Sequence, residues 1–316
     1  MYVVKHPTWL QIIFSLQGTV LPRIWARVAF ATGLAVVLTA ANLTWGVLKT
    51  NLTPLPFTLI AVALGIFLGF RNNTSYDRFW EGRKLWGALV NISRSLARQN
   101  LTHVGGAGAE NTRESADLRR LWAHRQVKRQ IAYVHLLRHH LRGEDTLNEL
   151  GDWLTADEIA RLVGERNRPI AVVQWLGEAQ QEVYSRGWIT DVQYALLDQS
   201  LVEMLAIQGG CERIKATPIP FSYSVLIHRI VAVYCLALPF GIVETVGHFT
   251  PLVVALISYA FYGLDAVGDE IEDPFGLDPS DLPLSAISRT IEVNLRQRLG
   301  DTALPPFHEP VNHLLT

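Results

Sequence analysis

Seven acidic residues and no Lys or Arg lie between Asp265 and Asp281. Calcium takes roughly six to eight oxygen ligands, so Glu270, Asp273, Asp278 and Asp281 could be drawn together around one ion. Leu277, Pro279, Ser280 and Leu282 interrupt that run. The competing reading has Asp278 or Asp281 capping a helix that carries Ile287, Ile291 and Leu295, with the other acids solvated or paired to arginines. Val62, Ile66 and Phe70 offer a different chemistry. Spaced four apart, they share one slowly turning helical stripe about 12 Å long. Gly65 and Gly69 lie on a neighbouring face, where small residues let helices approach closely. A narrow ring of apolar tips does not hold water, so such a stripe, repeated around an axis, would restrict ions by dewetting. The alternative is that these side chains face lipid or another helix. Enzymatic catalysis has no comparable support: no nucleophile–base motif or metal cluster appears, and His139 and His140 fall on a basic helix that reads as a solvated face. Cys211 and Cys235 form no Cys-x-x-Cys pair and read as core thiols. The glycines of 103–115 lack the preceding strand and following Lys of a phosphate loop.

The elements that would hold these residues follow from where charge is missing. The chain has 316 residues, 49% hydrophobic and 18% charged, against about 25% charged in soluble proteins, and its mean hydropathy is +0.17. Its net charge of −1 gives no basic field for nucleic acid. Val28 to Leu48 contains no charge and is long enough for the ~20 residues a crossing helix needs. Leu55 to Phe70 is also uncharged, and Pro54 and Pro56 suit a helix start that separates it from the first stretch. Val225 to Val243, apolar except for His228 and Arg229, and Pro251 to Leu264 read as a tight hairpin, short for complete crossings. His228 and Arg229 are expected to snorkel to the interface. The first 27 residues read as an amphipathic interfacial segment, not a signal peptide. Lys5, Arg23 and Arg27 precede the first span, and Arg71, Arg78, Arg83 and Lys84 follow the second, whereas the connecting turns hold only Lys49. That asymmetry places both termini and the middle of the chain in the cytoplasm.

The middle, 71–224, carries 20 Lys/Arg and 18 Asp/Glu, the balance of a folded helical unit. Helical spacing runs through Tyr76–Leu101 and Asp117–Arg142, and Thr155 to Glu158 and Thr190 to Gln193 read as capping boxes. The domain plan is therefore 1–27 interfacial, 28–70 two spans, 71–224 cytosolic, 225–264 two spans, and 265–316 an acidic segment with a C-terminal helix.

Three motifs resemble the prokaryotic branch of the bestrophin family. The first is Gly65-Ile66-Phe67-Leu68-Gly69-Phe70-Arg71-Asn72-Asn73, continuing through Tyr76-Asp77-Arg78-Phe79-Trp80-Glu81. The second is Gly209-Gly210-Cys211-Glu212-Arg213-Ile214, with Pro218-Ile219-Pro220-Phe221 and Tyr223 leading into the third span; the third is Asp273-Pro274-Phe275-Gly276. The resemblance covers nearly the whole chain. It implies an all-α, multi-span membrane protein assembling as a homopentameric ring around an axial ion pore, in a bacterial inner membrane. The family's three neck rings then fall on Val62, Ile66 and Phe70, with a smaller middle residue than the aromatics of many relatives. The acidic clasp that binds calcium in eukaryotic relatives is interrupted here, so calcium stays an alternative and no other cofactor is expected. The expected partners are other copies of the chain, lipid and monovalent ions. A second, cytosolic constriction is expected within 189–203, and Ile189, Glu203 and Glu212 are candidates for the vestibule wall.

The neck bears no charge, so it cannot choose the sign of the ion by Coulomb attraction. Eukaryotic relatives look like chloride channels, while prokaryotic ones include cation conductors. From Arg229 onward, 11 Asp/Glu stand against four Lys/Arg, which tilts the reading toward monovalent cations provided those acids face the pore. A secondary transporter and a non-conducting membrane-anchored binding module are the rival readings; the first would favour internal repeats and broken helices, and neither is evident.

Overall fold

Among the described residues every regular element is helical: α-helices, with two short 3-10 turns at Asn148–Leu150 and Gly247–Phe249. The structure, a computed structural model, describes residues 1–3, 8–16, 18–46, 53–105 and 113–316. Lys5, Lys49 and 106–112 of the glycine-rich loop lie outside them. Helix α1 is Trp9–Phe14, uncharged and exposed at Trp9, Leu10, Ile13 and Phe14. Helix α2, Leu21–Trp45, begins seven residues before the uncharged run, because Pro22 in its first turn supplies a helical φ. Arg23 and Arg27 therefore stand in the first turns of the spanning helix and not in a separate interfacial segment. It buries Ile24, Ala31, Ala35 and Thr39 along one face, which lies against the helix at Thr250–Glu270, α9.

Helix α3, Leu55–Thr102, runs unbroken for 48 residues from the second apolar stretch into the charged middle. No Pro or Gly pair interrupts it after Pro56, so the membrane half and the charged half are one rod. Helix α8, Phe221–Val246, and α9, Thr250–Glu270, form the expected hairpin and are longer than their apolar runs, at 26 and 21 residues. Gly247 joins them through a 3-10 turn at φ 60° and ψ −127°, a backbone region that disfavours side chains. Ile24, Leu64, Leu68, Val231, Leu238 and Val254 meet in one apolar cluster of these four helices.

A second core holds the charged middle together. It joins α3 to α4, Arg113–Arg142, α6, Arg168–Ser185, α7, Asp191–Ala216, and α10, Leu284–Leu299, around Trp86, Leu89, Val127, Leu137, Val172 and Leu197. Cys211 lies within it, and burial pushes its thiol up to about 12, as expected of an inert core residue. The close approach of α7 to α3 depends on Gly210, where an added Cβ would meet Leu85 at 2.9 Å. Arg78 of α3 donates to the carbonyls of Ile214 (2.7 Å) and Thr217 at the end of α7 and to that of Glu272 (2.9 Å), satisfying groups a helix end leaves open. Phe275 of the Asp-Pro-Phe-Gly motif is fully buried against Gly82, whose absent side chain makes the room.

Both predicted capping boxes form, at Thr155 with Glu158 and at Thr190 with Gln193. Glu158 opens α5, Ala156–Leu162, and also accepts from Arg125 at 3.1 Å and from Arg129 at 2.8 Å, both on α4. Burial pushes its carboxyl up, but the Thr155 backbone N–H and the two guanidiniums outweigh that and hold it down at about 2. A depressed acid stabilises the fold above its unfolded value near 4.3 and loses that contribution as pH falls through its folded value. Glu158→Gln is therefore expected to cost on the order of 2 kcal/mol at pH 7 and progressively less between about pH 4 and pH 2, read as unfolding midpoints across that range.

Candidate functional site

On α3, Leu64, Leu68, Arg71 and Ser75 are buried, and Val62, Ile66 and Phe70 point about 170° away from them at 100° per residue. The three are 60%, 55% and 63% exposed in the single subunit. An added Cβ at Gly65 or Gly69 would meet nothing within 4 Å, so the same open face is smooth between the bulky tips. Exposed large apolar side chains in a row leave a surface that water does not favour. The face continues down the rod through Asn73, Tyr76, Asp77, Trp80, Lys84, Arg94 and Arg98, all exposed, with Tyr76 and Trp80 stacked at 6.4 Å between ring centroids.

Immediately behind this face lies an arrangement that sequence reading missed. Arg71, 1% exposed, donates to Asp265 Oδ1 at 2.7 Å and to Asp269 Oδ1, both on α9. Asp265 is itself 1% exposed, and its other oxygen lies 2.6 Å from His228 Nδ1 on α8. His228 Nε2 faces Asp269 Oδ2 at 3.4 Å. His228 therefore does not snorkel as expected: a carboxylate within reach competes better for the ring than the interface does. Arg229 beside it is exposed. Among the described residues this is the one His/Cys/Asp/Glu grouping tight enough for a metal ion. Arg71 already occupies an oxygen of each aspartate, which makes this an ion-pair knot and not a cation site. The only sequence hint was the four-residue spacing of Asp265 and Asp269; Arg71 is 194 positions from Asp265.

The predicted calcium quartet does not come together as a set of three ligands. Glu270 accepts from Ser280 and lies 3.8 Å from Arg23, while Asp278 pairs with Arg23 at 3.1 Å. Asp273 accepts from the backbone N–H of Phe275. Neither Asp278 nor Asp281 caps α10, whose N-cap is Pro283 with no side-chain cap. Asp281 instead turns back to the Asp278 N–H at 2.7 Å, because Gly276 leaves the space its carboxylate fills. Burial pushes Asp281 up to about 6 despite that bond, with Asp278 and Asp273 adding to the rise.

The vestibule candidates separate in the same way. Ile189 is buried in the core of the charged middle, so it lines nothing. Glu203 is exposed on α7. Glu212 is drawn inward, accepting from Asn167 at 2.9 Å and Gln208 at 2.8 Å and lying 3.1 Å from His140. Within 189–203 the most exposed large apolar side chain is Val192, at 69%, in the first turn of α7.

A family model described as Bacterial/Fungal Bestrophin protein matches residues 1–297. A voltage-dependent anion channel-forming protein of Ralstonia nicotianae is 40% identical over 304 residues, 96% of each chain. The protein of the same description called YneE in Escherichia coli is 36% identical over 316 residues, 99% of each. The crystal structure of a bacterial bestrophin homologue from Klebsiella pneumoniae superposes with a TM-score of 0.80 at 33% identity, covering 88% of this chain and 99% of that one.

Proposed function

Since the chain belongs to the bacterial and fungal bestrophin family, whose matched relatives are described as channel-forming proteins, we propose that five copies close around one axis with the open face of α3 inward. Val62, Ile66 and Phe70 then form three stacked apolar rings at the neck of a pore for monovalent ions. The observation that carries this is the exposure of three bulky apolar side chains on the α3 face opposite its packed face. A neck of that kind passes ions only when it wets, and its width at Ile66 sets the barrier. Val192 is the candidate for a second constriction at the mouth of the charged half. The membrane is the bacterial inner membrane, with the charged middle and both termini on the cytoplasmic side, as the placement of Arg71, Arg78, Arg83 and Lys84 favours.

The ion is a monovalent anion in this reading. The acids that favoured cations are largely consumed inside the subunit: Asp265 and Asp269 by Arg71, Glu292 by His135, Asp301 by Arg296 and Asp278 by Arg23. Below the neck the exposed face of α3 offers Asp77 against Lys84, Arg94 and Arg98, which multiplied by five concentrates anions at the entrance. The description of the relatives as anion channels points the same way. In planar bilayers holding the purified protein under a sodium chloride gradient, the reversal potential is expected near that of chloride. A value near that of sodium would overturn the anion assignment; the absence of conductance together with lone subunits in detergent would overturn the pore.

A further inference from the structure

We propose that His228 is a positioning residue for conduction: its protonated ring locks the Arg71–Asp265–Asp269 knot that holds the neck, and loss of that proton releases it. The inference rests on the pore reading above and adds a proton-operated control to it.

Both ring nitrogens of His228 face carboxylate oxygens, Nδ1 toward Asp265 at 2.6 Å and Nε2 toward Asp269 at 3.4 Å. A neutral imidazole donates from one nitrogen and turns a lone pair outward at the other; only the imidazolium donates from both. With Arg71 and His228 charged, two cations meet two carboxylates and the knot sums to zero. With His228 neutral, it holds a net negative charge at a place where Arg71 and Asp265 are almost wholly removed from solvent, and a ring lone pair opposes an aspartate oxygen. The other charged and titratable groups around the ring are few. Helix α9 supplies only these two aspartates and, one turn before, Tyr262, on which Arg27 of α2 acts. Helix α3 supplies Arg71, and α8 itself supplies Arg229, which is exposed, and the buried Cys235, on which Asp265 acts. Histidine is the one side-chain type in the knot whose ordinary charge change falls in the physiological range, so His228 is the residue the proposal turns on.

The consequence reaches the pore through one peptide bond. Phe70 is the innermost apolar ring and Arg71 is the next residue, so the anchor of α3 to α8 and α9 sits directly behind the constriction. When the carboxylates lose their second cation they shift, Arg71 follows, and Phe70 is freed to move outward. Flux is accordingly expected to rise several-fold as pH is raised from acidic to alkaline and the ring gives up its proton.

The test is ion flux from liposomes of the purified full-length protein across that pH range, for the native chain, His228→Lys and His228→Gln, with oligomer size checked by chromatography. The native chain is expected to show a one-proton rise. His228→Lys keeps a charge at every pH and should stay at the low acid-side level; His228→Gln carries none and should stay at the high level. If either variant fails to assemble, Asp269→Asn serves instead: it removes the Nε2 partner and should move the midpoint to lower pH. A flat native profile, or a pH dependence retained in both His228 variants, overturns the proposal while leaving the pore intact. Absence of flux at every pH in the native protein would instead strike the pore reading itself.

Discussion

Ile66→Ala is expected to increase ion flux through the reconstituted protein about tenfold, equivalent to about 1.4 kcal/mol off the barrier, without altering the number of subunits. The side chain is 55% exposed in the single subunit, so its loss opens no cavity inside the fold. In a closed ring, five truncations at one level widen the narrowest apolar section and remove the surface that expels water from it. Flux from liposomes and oligomer mass in detergent measure the two halves of this expectation. Equal flux in the variant and the native protein would place the constriction elsewhere. Leu68→Ala is the contrasting substitution: that residue is buried on the opposite face, so its truncation acts on stability.

Arg71→Ala is expected to cost about 3–5 kcal/mol, because it leaves two carboxylates of which one is buried with only His228 to answer it. Thermal unfolding in detergent should show a large drop in midpoint or failure to assemble, with Arg71→Lys less severe, since a single ammonium reproduces one of the two contacts. A midpoint unchanged from the native protein would mean that the α3–α9 junction is held by packing alone. The two substitutions act on opposite sides of one short stretch of α3, and the first should change conduction without stability while the second changes stability first.

Much of this arrangement was legible in the chain because its causes are local. The uncharged stretches, the prolines at 54 and 56 and the Thr155 and Thr190 capping boxes each act within a few residues, and each marks a helix where one stands. The stripe of Val62, Ile66 and Phe70 could be read from spacing, and its exposure agrees with a role outside the subunit's own core. What spacing does not carry is who meets whom across nearly two hundred residues. Arg71 looked like a topogenic charge at a membrane edge, and beyond the four-residue spacing of Asp265 and Asp269 nothing near either residue signals that they meet. The acids of 265–281 allowed two readings, a shared calcium ion or pairing to arginines, and spacing alone did not choose between them: each has a partner within its own subunit, Arg71, Arg23, Ser280 or a backbone N–H. Ile189 was misplaced because a short segment just before a helix gave no sign of which way its side chain turns, and it turns into the core.

The unbroken length of α3 has a mechanical meaning. A 48-residue helix is about 72 Å long, and with no kink to absorb bending it behaves as a lever. A rotation of about 3° about its midpoint displaces either end by about 2 Å, comparable to the change in radius that decides whether a greasy throat fills with water. Whatever presses on the far end of that lever, beside Arg94 and Arg98, is thereby felt at Val62, roughly 50 Å away along the same rod.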